Sequence, residues 1–172
     1  MLRRSLAIRI FLLAFLCAAL VYGQAGQQET APATLTVSGD IPSQLVLKAE
    51  DLSKMPRQTV SIAEQDGTKI EYEGVPLREI LKRAGAPMER ELRGKALASY
   101  ILAKARDGYQ VVFTLAEVAP EFANEPILVA DKRDGKPLSE YQGPYRLVCP
   151  NDKAGARSVR MLETLDIVRL QK

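Results

Sequence analysis

Apolar and polar residues alternate over 34–38 (TLTVS), which predicts a strand closed by Gly39-Asp40. A second short strand is read at 44–47. One or two helical turns follow at 49–54, where Glu50 and Asp51 come early and Pro56 lies just beyond. Residues 58–62 and 69–73 flank Asp66-Gly67, a hairpin signal, and 98–103 and 109–113 flank Asp107-Gly108 in the same way. The clearest helix is 76–84. Pro76 suits a first helical position, Leu77, Ile80, Leu81 and Ala84 form one apolar stripe, and Gly85 ends it. A helical turn at 115–119 follows Thr114, a good capping residue, and stops at Pro120. Further strands are read at 127–130, 145–148 and 164–170. Many strands, few short helices and no repeated βαβ unit predict an α+β domain with mixed sheets.

The N-terminus carries a different pattern. Residues 10–21 are uninterrupted by charge and are preceded by Arg3, Arg4 and Arg9. Such a run is too short to span a hydrocarbon core of about 30 Å as a helix. A basic start, a short apolar core and small residues near Gly23 and Ala25 predict a secretory signal peptide over 1–23, cleaved after Gly23 or Ala25. An uncleaved N-terminal anchor is the alternative. Leu16 stands before Cys17, where a lipid-modification site needs a small residue, so a lipoprotein is not read. Residues 24–33 (QAGQQETAPA) form a flexible leader and 34–172 the domain, expected in the periplasm or outside the cell.

Charge matters only once that segment is set aside. The chain has 24 basic and 21 acidic residues, and the first 23 positions hold three arginines and no acid. The remainder is formally neutral, so there is no electrostatic case for nucleic acid, and no membrane contact is expected after cleavage. The chain contains no His and two Cys. This excludes a Ser–His–Asp or Cys–His pair, a His-held zinc or haem, and four-cysteine zinc or iron–sulfur sites. There is no G-x-G-x-x-G or Walker loop.

The segment richest in chemistry is 149–160 (CPNDKAGARSVR), where Lys153, Arg157, Ser158 and Arg160 gather around Gly155. Glycine lets backbone N–H groups converge, and arginine presents a planar fork to phosphate oxygens. Composition alone favours a solvated basic loop. Cys149 continues an apolar strand and reads as a small buried hydrophobe, with a redox thiol or soft-metal ligand as the functional alternative. Glu71 with Glu73, and Glu121 with Glu125, match no known cation loop. Tyr109 and Tyr141, each near a glycine, are candidate pocket residues or simple packing.

Several motifs in order resemble the sulfite-oxidase-type molybdopterin-binding domain. Gly74-Val75-Pro76-Leu77 with Ile80-Leu81 and Ala84-Gly85 is similar to its "G-V-P-L…L-L…A-G" helix. Asp107-Gly108-Tyr109 before Leu115-Ala116-Glu117 resembles "D-G-Y…L-x-E". Leu128-Val129-Ala130 with Asp134-Gly135-Lys136-Pro137-Leu138 resembles "L-A…N-G-x-P-L". Residues 143–150 and 155–160 resemble "G-x-P-x-R-L-V-x-P…G-x-x-S-V-K". The resemblance spans 34–170. It implies a mixed, barrel-like sheet fold and molybdopterin as candidate cofactor, with Lys153, Arg157, Ser158 and Arg160 on its phosphate. It also implies a metal-ligating cysteine upstream of the helix. Here that stretch, 59–66, has none. Asp131 stands where the enzymes carry a tyrosine near the metal, and Gln142 where a histidine is often found. No catalytic or metal-ligating residue is therefore assigned.

Three functions follow. The first is an exported binding module for a pterin or other phosphate-bearing anion, or for a periplasmic redox or assembly partner, without sulfite-oxidase chemistry. The second is an active molybdenum oxidoreductase, and the third is a ligand-free interaction domain.

Overall fold

The computed structural model describes residues 33–63, 66–123 and 126–170. The segment expected to be a signal peptide, nearly all of the expected leader, and Glu125 lie outside these. The Asp-Gly signals act as predicted. Strands β3 (Gln58–Ala63) and β4 (Lys69–Pro76) pair in antiparallel register. So do β5 (Ser99–Ala105) and β6 (Gln110–Thr114). Gly67 and Gly108 sit at φ 83° and 88°, the left-handed conformation that glycine adopts without a Cβ penalty. A third Asp-Gly pair, Asp134-Gly135, has φ 49° and 73° and folds β7 (Leu128–Arg133) back on the two-residue β8 (Lys136–Pro137). That hairpin is not read from the hydrophobic pattern, because β8 is too short to show one.

The remaining strands are β1 (Thr34–Gly39), β2 (Leu45–Lys48), β9 (Arg146–Val148) and β10 (Leu162–Arg169). One five-stranded sheet has the order β2-β1-β10-β5-β6, in which β1 and β10 are parallel. The second has the order β3-β4-β7-β8, with β9 also paired to β7. With three short helices among the described residues, this is the expected α+β architecture. The helices are α1 (Ala49–Ser53), α2 (Leu77–Arg83) and α3 (Leu115–Val118). No helix among the described residues is long and apolar enough to cross a membrane.

Helix α2 is one residue shorter at each end than its apolar stripe predicts. Pro76 has ψ 131°, so it still belongs to β4, opposite Leu128. Its fixed φ serves the cap rather than the first turn. Gly85 at φ 76° ends the helix as expected. Leu77, Ile80 and Leu81 are wholly buried within a core that takes Leu35 and Val37 from β1, Ile101 and Ala103 from β5, and Leu165 and Ile167 from β10. A smaller apolar cluster, with Val60, Ile70, Tyr72, Leu128, Ala130 and Val148, is built by β3, β4, β7 and β9. Gly74 of the motif before α2 sits at a register shift between β4 and β7. A Cβ there would lie 2.1 Å from the Val129 carbonyl oxygen, so only glycine lets the strands approach this closely.

Candidate functional site

The loop after β9 returns through a 3-10 turn, Gly155–Arg157, before β10. This turn forms one wall of a cleft of about 470 Å³, within the range of small-molecule sites of roughly 300–1,000 Å³. Both sheets contribute. Tyr72 comes from β4, Arg133 from β7 and Arg146 from β9, while Asp107 and Tyr109 come from the β5–β6 turn. Gly155, Ala156, Ser158 and Arg160 complete the wall, with Gln142 nearby.

Three guanidinium groups and one carboxylate line the cleft, so it favours anions. Aromatic rings fix two of the three arginines. Arg146 Nη1 donates to the Tyr72 hydroxyl at 2.9 Å, and its guanidinium lies 5.0 Å from the centre of the same ring. Arg160 stacks 4.1 Å from the centre of the Tyr141 ring, which is 64% exposed at the rim. Arg133 lies 3.5 Å from Asp134. The Tyr109 hydroxyl donates to the Ala156 carbonyl at 2.8 Å, which ties the β5–β6 turn to the 3-10 turn across the cleft. A Cβ on Gly155 would meet nothing within 4 Å, so this glycine leaves the wall open rather than relieving a clash.

The four residues nominated from the sequence separate. Ser158 and Arg160 line the cleft. Ser158 is buried, and its Oγ accepts from the Cys149 amide at 3.2 Å. Lys153 is exposed on the preceding loop and is not among the lining residues. Arg157 borders a second, smaller cavity of about 180 Å³, together with Cys149, Glu117 and Phe122. Its Nε and Nη2 fork onto Asp152 at 2.8 and 2.7 Å, Nη1 donates to Glu117 at 2.6 Å, and its plane lies over Phe113.

Tyr109, Gln142 and Arg146 fall in stretches already singled out by motif. Tyr72 and Arg133 carry no local signal. They enter the cleft only because β4 and β7 pair.

Cys149 is buried and unpaired. Its thiol lies 3.6 Å from the Arg157 carbonyl, to which it donates. Burial, reinforced by Asp152, pushes it up to about 12, which removes thiolate character at neutral pH. Among the described residues no group of three or more His, Cys, Asp and Glu could hold a metal ion. Asp131, at the position of the enzymes' tyrosine, is held by Arg57, whose Nη1 and Nη2 donate to it at 3.0 and 2.5 Å. Arg57 also reaches Glu73 at 2.7 Å. None of residues 59–63 and 66, the described part of the stretch where the resemblance implies the missing thiolate, lines the cleft. The donors in the cleft thus fit a phosphate-bearing pterin and do not fit a metal held by a protein thiolate.

Residues 23–172 match the oxidoreductase molybdopterin binding domain family, and the chain belongs to it. Among solved structures, the sulfane dehydrogenase SoxCD from Paracoccus pantotrophus is similar, with a TM-score of 0.60 and 23% identity. The match covers 78% of this chain and 38% of that one, and it shows a shared fold. No curated protein matches the chain. The molybdopterin-domain resemblance carried by the sequence motifs is therefore correct.

Proposed function

We propose that this molybdopterin-binding-type domain is an exported module that holds the anionic, phosphate-bearing end of a pterin in the arginine-lined cleft, without a protein sulfur on any metal. One observation carries the reading. Arg133, Arg146 and Arg160 reach a single cleft from three separate segments, while the buried Cys149 lies outside it. Arg160 and Ser158 would take phosphate oxygens, and Arg133 and Arg146 the remaining charge. When bound, molybdopterin supplies dithiolene sulfur for a metal. The work of this chain is to bind and orient it.

Charge-assisted hydrogen bonds are worth about 1.5–3 kcal/mol each, and about 1.4 kcal/mol is tenfold in affinity. Titration calorimetry with a phosphorylated pterin should therefore give saturable binding to the wild type, weakened about tenfold or more in Arg160→Ala. Absence of saturable binding at millimolar ligand would remove the pterin reading and leave an interaction domain. Membership of a family of oxidoreductase domains favours a second reading, an active molybdenum enzyme. Metal analysis with pterin fluorescence, on protein isolated from its native compartment, separates the two. Stoichiometric molybdenum supports the enzyme, and pterin without metal supports the module.

A further inference from the structure

The Gly155–Arg157 turn has two sides. On one, Ala156, Ser158 and Arg160 face the cleft. On the other, every nitrogen of the Arg157 guanidinium meets a carboxylate within 2.6–2.8 Å. One of those acids is local. The other, Glu117, is 40 positions away in α3. Glu117 is itself fixed, because its second carboxylate oxygen accepts from the Thr114 amide at 2.7 Å and from the Thr114 hydroxyl at 3.0 Å. This is the capping box that starts α3. The helix cap therefore aims the acid, the acid and Asp152 hold the arginine, and the arginine's backbone carries the turn.

We infer that Arg157 is a positioning residue for the cleft: its grip on Asp152 and Glu117 holds the turn so that Ser158 and Arg160 face the ligand, which Arg157 does not touch. This rests on reading the cleft as an anion site. The competing arrangement has Arg157 leave its acids and bind the anion directly. It would have to surrender a bidentate carboxylate pair and a third charge-assisted bond to do so.

The two arrangements give opposite signs for one substitution. Glu117→Gln removes a negative charge beside an anion site. If Arg157 were a ligand contact, freeing it would tighten binding. If Arg157 positions the turn, binding weakens because the turn loosens.

The test is titration calorimetry of inorganic pyrophosphate into the full chain and into Glu117→Gln, Arg157→Lys and Arg160→Ala. Amide hydrogen exchange at Ser158 and Met161 is measured alongside. Both Glu117→Gln and Arg157→Lys (charge kept, fork lost) should weaken pyrophosphate by roughly tenfold, the lower end of what supporting side chains cost at metal sites. Exchange should rise at Ser158 and Met161 and stay unchanged in β5 and β10. Unchanged or tighter binding in Glu117→Gln overturns the inference. If the wild type itself fails to bind pyrophosphate, the anion-site reading falls and exchange alone decides. Faster exchange confined to the turn still establishes the latch, and unchanged exchange removes it. Should Glu117→Gln fail to fold, Asp152→Asn, which takes the other carboxylate from Arg157, carries the same comparison with the same opposite signs.

Discussion

Leu81 is wholly buried on α2 beside Leu77 and Ile80. Leu81→Ala should cost about 2–5 kcal/mol, the range for leucine truncation in a packed core, measured by urea unfolding. A loss below about 0.5 kcal/mol, typical of a surface site, would place this face outside the core. Cys149 is 5% exposed, and burial suppresses its thiolate. The native protein should therefore react with a disulfide reagent only as fast as it unfolds, and denaturant should release the thiol. Rapid reaction under native conditions would refute the packing role. That role is legible locally, since Leu147 and Val148 precede Cys149 on an apolar strand. Arg157 was legible as a cation but not by its partners. Asp152 is five residues away, yet Glu117 becomes a neighbour only when α3 packs beside the turn.

Paired carboxylates join the elements. Glu117 is pushed up by burial, but its bonds to Arg157 and Thr114 outweigh that and hold it below the ordinary carboxylate range. Asp166 on β10 behaves alike, with burial opposed by Lys104 and Ser38. Glu73 is held low by Arg57 and Lys132. A depressed carboxylate stabilises the fold above its unfolded value of about 4 and loses that contribution as pH falls through the lower, folded value. The melting temperature should therefore be level from neutrality to mild acid and fall below about pH 4. A rise in that range would show that these pairs do not stabilise the fold. The elements themselves are largely written in short-range signals: Asp-Gly at the hairpins, the α2 stripe, and Thr114 with Glu117 at α3. The Gly155–Arg157 turn and β8 escape because a single irregular turn and a pair of residues carry no readable period.

At the level of the whole molecule, the α+β class follows from counting elements, whereas the cleft depends on which strands become neighbours. Arg133 and Arg146 meet only through the register of β4, β7 and β9. Both arginines are half-buried on their strands, and a strand arginine has no sequence feature that distinguishes it from a solubilising charge. The same order of strands has a temporal consequence. β10 occupies the middle of its sheet, with β1 on one side and β5 on the other. Residues synthesised first must therefore wait beside an empty slot until residue 169 exists, with Leu35, Val37, Ile101 and Ala103 lacking their central partner. Loss of the closing strand during synthesis or by clipping would split the sheet through its centre, leaving two fragments with raw edges rather than a trimmed domain.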